Sequence, residues 1–159
     1  MTERVRHQYR IDLVGWGLST LLAGVVTRAP EPTDSEGLAN LMLDAYLGTI
    51  DYEGESIEDA RTEIEEYFSF DPMLECSRVI EMEGVLVAAS LLARWEGSPL
   101  VSYVMTESSS KRHGLARAVL LGSLDCLARA THREVFAFIT EGNTASERLF
   151  DALGAIRVP

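Results

Sequence analysis

Apolar positions along the chain change period several times, and each change marks an element. Gln8 to Val14 alternates weakly, the pattern of an accessory strand, and Leu22 to Arg28 reads as a first regular strand ended by Pro30 and Pro32. Thr33 or Asp34 then caps a helix with Glu36 in its first turn. Leu38, Leu41, Met42 and Ala45 recur on one face of that helix. Gly48 to Glu55 is an acid-rich loop. Ser56, with Asp59 three positions on, forms a capping box for a second helix. Ile57, Ala60, Ile64 and Phe68 are its expected inner stripe, and Asp71-Pro72 stops it.

An antiparallel meander of three strands is expected next. Glu75 to Met82 leads through a Glu83-Gly84 hairpin turn into Val85 to Trp95, whose continuous apolar run suits a central strand. After a turn at Glu96 to Pro99, Leu100 to Thr106 is the third strand. Ser108 to His113 is polar and loop-like. A helix is expected from about Gly114 to Ala130, with Ala116, Leu120, Leu124 and Leu127 inward. Glu134 to Thr140 favours a strand, and a last helix runs from Asn143 or Thr144 to a stop at Gly154. The order β-α-α-β-β-β-α-β-α predicts an α/β (α+β) layer structure. One domain is expected over 1–159, with 1–21 as an N-terminal extension.

Charge narrows the possible partners. The chain has 14 Lys and Arg against 25 Asp and Glu, a formal net charge of -11, which argues against a phosphate-binding surface for nucleic acid. The acidity suits cationic or amine-bearing partners, and equally plain solubility. Cys76 and Cys126 form no CxxC pair and the histidines are scattered, so no zinc site is expected. They read as two buried thiols in a reducing, cytoplasmic compartment. Arg4, Arg6 and Arg10 ahead of the apolar stretch Leu13 to Val26 resemble a secretory signal. Asp12, the glycines at 15, 17 and 24, and Pro30 instead favour a folded N-terminal element. The stretch is also too short to span a bilayer, and no membrane partner is expected.

The segment from Val104 to Arg117 has the most chemistry. A strand ends, a polar loop follows, and a helix begins at Gly114. Helix starts expose unpaired N–H groups and the positive end of the dipole, and glycine lets an anion approach closely. Lys111, Arg112 and Arg117 place three of the 14 cations within seven residues, where an anionic ligand would relieve their conflict with the dipole; a capped helix with a solvated basic first turn is the alternative.

Lys111-Arg-His-Gly114-Leu-Ala116 resembles motif A of the GCN5-related N-acetyltransferases, [Q/R]-x-x-G-x-[G/A], with lysine at the first position. Asn143-Thr-Ala-Ser-Glu-Arg-Leu-Phe-Asp-Ala-Leu-Gly154, about 30 residues on, is similar to motif B. The resemblance covers about Val25 to Val158. It implies a mixed, mostly antiparallel sheet flanked by helices, acetyl-CoA as acyl donor, and direct attack on its thioester by an amine of a small molecule or peptide. On this basis the backbone of Arg112, His113, Gly114, Leu115 and Ala116 holds the pyrophosphate, with Lys111 and Arg117 adding charge. Val104, Met105 and Thr106 pair with the pantetheine, and an amide near Met105 polarises the thioester carbonyl. Asn143 binds the pantetheine arm or an ordered water, and Ser146 and Phe150 complete the cofactor-binding set.

Phe150 stands where many members of the family carry a tyrosine that protonates the leaving thiolate, and phenylalanine has no proton to give. The strand position where some relatives carry a glutamate base falls near Ser98, in a turn. Glu141 is the first candidate base, with a surface glutamate as the alternative, and Tyr103 is the second. The loop around Asp51, Tyr52, Glu53 and Glu55 borders the acceptor region of the family. Its acids and its aromatic face suit a cationic acceptor. Only Ala155 to Pro159 follow the last helix. The N-terminal element, or a partner in a homodimer, is therefore expected to cover the sheet edge left open. A sensor or scaffold that holds acyl-CoA with little turnover is a second reading, and a partner-binding domain without cofactor is a third.

Overall fold

The computed structural model describes residues 3–17, 25–111 and 113–159. The elements are β1 (Arg6–Asp12), α1 (Ser35–Tyr46), α2 (Ile57–Ser69), β2 (Arg78–Met82), β3 (Val85–Trp95), β4 (Ser98–Thr106), α3 (Leu115–Arg129), β5 (Glu134–Thr140), α4 (Thr144–Ala152) and β6 (Ile156–Arg157). Among the described residues the strands form one six-stranded sheet in the order β2-β3-β4-β5-β1-β6. All neighbours are antiparallel except β4 and β5, which run parallel. No helix among the described residues is long and apolar enough to cross a membrane.

Local chemistry explains most of these boundaries. Ser56 accepts the Asp59 N–H while the Asp59 carboxylate accepts the Ser56 N–H, closing the capping box of α2. Glu83-Gly84 and Glu96-Gly97 both hold paired positive φ values, the geometry of the tight turns that join β2 to β3 and β3 to β4. The inner stripe of α2 is Ala60, Ile64 and Tyr67, whereas Ile57 and Phe68 are only partly buried. Tyr67 earns its buried place by hydrogen bonding. Leu92 lies beyond the last β2–β3 pair, and its carbonyl accepts the Tyr67 hydroxyl at 2.7 Å while its N–H donates to Ser77 Oγ at 2.9 Å.

Alternate residues of β3 feed two cores on opposite faces of the sheet. Ala89 and Leu91 join Leu38, Leu41, Ile64 and Met105 beneath α1 and α2. Leu92 joins Val101, Leu120, Leu124, Val135 and Phe150 beneath α3 and α4.

Three expectations need correction. The strand expected at Leu22 to Arg28 does not form: 22–24 lie outside the described residues, 25–27 take no strand conformation, and Arg28 makes only an isolated bridge to Val79. The regular strand at this end of the chain is the one read as accessory. β1 pairs with β5 from Arg6–Thr140 to Asp12–Glu134 and so covers the β5 edge that faces away from β4. The cysteines are not free thiols. Cys76 and Cys126 are joined in a disulfide, with Cα atoms 5.3 Å apart. A separation of 50 residues hid this contact, because α3 returns across the sheet onto the turn before β2.

Truncation of residues 1–13 exposes the β5 edge, and light scattering should show self-association in place of a uniform species. Replacing both cysteines with serine opens a loop of 50 residues and should cost roughly 2–4 kcal/mol in denaturant unfolding.

Candidate active site

The sheet opens at its middle. β4 and β5 are paired only at Leu100–Phe136 and Val101–Ala137. In the β3–β4 ladder, Leu92 pairs with Val101 and Leu91 with Tyr103, so Ser102 is an extra residue, a bulge just where the β4–β5 pairing ends. Bulges bend the strand that carries them, and β4 turns away from β5 over its remaining residues.

A cavity of about 1100 Å³ fills the gap. Tyr103, Val104, Met105 and Thr106 line it from β4, and Ala137, Phe138, Ile139 and Thr140 from β5. Thr106 Oγ1 is buried without a hydrogen-bond partner among the described residues, a group that a ligand in the cavity can satisfy. Gly114, Leu115, Ala116 and Arg117 bring the start of α3 to the same space, and Asn143, Ser146 and Phe150 bring α4. Gly114 caps α3 in the left-handed region at φ 77°, and apart from its chain neighbours no atom of the described residues lies within 4 Å of where its Cβ would stand. A ligand in the cavity can therefore approach the start of the helix closely at Gly114. Ser108 fixes the loop before it, donating from N and Oγ to Asp44 of α1 at 2.7 and 2.9 Å.

The two walls differ in charge. Lys111, Arg117 and Arg148 line the side of α3 and α4. Asp51, Glu55, Asp59 and Glu63 line the side of α1 and α2, with Arg6 of β1 beside them. Lys111 is partly engaged, its Nζ donating to the Ala45 carbonyl at 3.0 Å near the negative end of α1.

Several expected site residues fall outside this cavity. Glu141 continues the β1–β5 ladder through its N–H to the Val5 carbonyl. Thr140 beside it lines the cavity, so the pleat turns Glu141 away, and its carboxylate lies 3.8 Å from His7 Nε2. Glu53 pairs with Arg4 at 3.3 Å and does not line the cavity. His113 is exposed and off the lining, and Arg112 lies outside the described residues. Asp51, Tyr52 and Glu55 do line the cavity. The Asn143 side chain is used at both ends: Oδ1 accepts the Ser146 N–H at 3.2 Å and caps α4, and Nδ2 donates to Asp51 at 2.8 Å.

Sequence reasoning missed the acid that meets Tyr103. The Tyr103 hydroxyl donates to Glu63 Oε1 at 2.5 Å. Burial, then the bond to Glu63, pushes the Tyr103 phenol well above its ordinary range. Tyr46 of α1 also lines the cavity. Burial, followed by the charges of Asp51 and Glu63, pushes it up to about 12. Both phenols thus stay protonated at neutral pH. One signal for Glu63 was available, because it stands one turn after the capping Asp59 and so on the same side of α2.

No protein-family model and no curated protein matches the chain. Solved structures do match. A GCN5-related N-acetyltransferase from Sphaerobacter thermophilus aligns with 98% of this chain at TM-score 0.76 and 18% identity. Diaminobutyrate acetyltransferase from Paenibacillus lautus, in complex with L-2,4-diaminobutyric acid and coenzyme A, aligns with 80% of this chain and 73% of its own at TM-score 0.62 and 26% identity. The ribosomal-protein-S18-alanine N-acetyltransferase from Escherichia coli aligns with 82% of this chain and 76% of its own at TM-score 0.67 and 15% identity.

The chain has the fold of the GCN5-related N-acetyltransferases. It spans 49% of the length of the Sphaerobacter protein. As a member of this fold it carries Phe150 at only 4% exposure, packed into the core beneath α3 and α4, where no hydroxyl is on offer. Replacing Asn143 with alanine removes the cap of α4 and should cost about 1 kcal/mol, read from denaturant midpoints.

Proposed function

We propose that this chain transfers the acetyl group of acetyl-CoA to a primary amine of a small cationic acceptor. The observation that carries the reading is the gap between β4 and β5, which opens directly onto the free amide terminus of α3 at Gly114. Neighbours of the same fold support the donor, since the diaminobutyrate enzyme was solved with coenzyme A. Its substrate, a compound with two amines, is in keeping with the acid wall found here.

The first-turn amides of α3 and the helix dipole hold the pyrophosphate, with Lys111 and Arg117 alongside. The edge of β4 that β5 leaves unpaired, at Val104, Met105 and Thr106, offers backbone groups to the pantetheine amides. An amide near Met105 polarises the thioester carbonyl. The acceptor amine, drawn to Asp51, Glu55, Asp59 and Glu63, attacks the carbonyl carbon within a ternary complex. Holding both reactants together supplies much of the rate. Phe150 favours a second reading, a module that holds acyl-CoA with little turnover.

Calorimetry with CoA, together with thiol release from acetyl-CoA over a panel of amines, separates the readings. Binding with turnover that favours cationic amines is expected. Tight binding without turnover on any amine establishes the module, and absence of binding removes both. Gly114→Glu places a carboxylate beside the diphosphate and should weaken CoA binding by about 100-fold, with the melting curve confirming that the variant is folded.

A further inference from the structure

A reaction that expels a thiolate needs a proton donor, and Phe150 cannot serve. The described residues of the cavity offer another hydroxyl in a defined hydrogen bond. Tyr103 stands two residues past the last β4–β5 pair and two before Met105, on the same face of the strand as Met105. Its ring lies 6.4 Å from that of Tyr67, edge to face, and its hydroxyl is bound to Glu63 at 2.5 Å. Glu63 lines the cavity and is itself exposed, so a proton on it is in contact with solvent. The charged and titratable groups around the phenol are Glu63 and Glu66 from α2 and Tyr46 from α1. The acids and the burial all hold the proton on the phenol, so the hydroxyl gives it up only as Glu63 returns one.

We propose that Tyr103 protonates the departing CoA sulfur and that Glu63 replaces the proton. The inference rests on the acetyl-transfer reading. Glu63 takes a proton from the acceptor ammonium. The freed nitrogen bonds to the carbonyl carbon, and the C–S bond breaks with its electron pair on sulfur. Tyr103 gives its hydroxyl proton to that sulfur, and Glu63 returns the captured proton to the Tyr103 oxygen. The last excess proton on nitrogen leaves to solvent. One ammonium and one thioester thus become one amide, one thiol and one released proton. Tyr103 touches the leaving group, and Glu63 links it to the acceptor.

The test needs no knowledge of the acceptor. CoA affinity is measured at pH 7 and pH 9 for wild type, Tyr103→Phe and Glu63→Gln. A phenol that touches the sulfur donates to the bound thiolate and lowers its pKa, so it tightens binding as pH rises toward the free-thiol value of about 8.5. The ratio of the two affinities should be about sixfold larger in wild type than in Tyr103→Phe, as a one-unit lowering of the bound thiol pKa gives between pH 7 and pH 9. Glu63→Gln should keep the ratio at or above the wild-type value, because its phenol is no longer tied to a carboxylate. Equal ratios in wild type and Tyr103→Phe overturn the relay, while loss of all CoA binding in wild type overturns the acetyl-transfer reading beneath it. With any amine that the wild type acetylates, both variants should lower kcat by about 100-fold at nearly unchanged KM for acetyl-CoA. A kcat close to wild type in either variant also overturns the proposal.

Discussion

Pairing between β4 and β5 stops after Val101, and the site depends on that interruption. Had the two strands continued in register, their backbone groups would have satisfied one another and closed the sheet. The bulge at Ser102, in the ladder with β3, bends β4 just where its pairing with β5 ends. It leaves the end of β4 with groups still to satisfy, opens a cavity of about 1100 Å³, and aims Tyr103 at α2.

Holding such a gap open places demands on the surroundings. β5 has little support from β4, and β1 supplies what is missing by pairing along the whole of it. The N-terminal segment reaches further still. Arg4 lies 3.3 Å from Glu53 and donates to the Tyr52 carbonyl, which holds the acid-rich loop over the cavity. On the far side of the sheet the disulfide ties α3 to the turn that satisfies Leu92. Rigid supports of this kind let a site keep unpaired backbone and opposed charges without collapsing.

Charge is divided within the cavity in a way that net charge conceals. A chain at -11 still concentrates Lys111, Arg117 and Arg148 on one wall, which suits a diphosphate. The opposite wall is acidic and suits an ammonium. In the proposed reaction, attraction of donor and acceptor to separate walls would bring the two reactants together without either competing for the place of the other.

Much of this was legible in the amino-acid sequence. The capping box at Ser56, the hairpin at Glu83-Gly84, the long apolar strand Val85–Trp95 and the glycine at the start of α3 are local features, each decided by residues a few positions apart. The stretch around motif A brought Val104 to Thr106 and Gly114 to Arg117 to attention as one unit, and these residues line one cavity. What lay beyond reach was set by pairs far apart in the chain. The sulfurs of Cys76 and Cys126 meet across 50 residues, and Tyr103 meets Glu63 across 40. Glu141 was misplaced because one step along a pleated strand turns a side chain to the opposite face, and only the β1–β5 register decides which face that is.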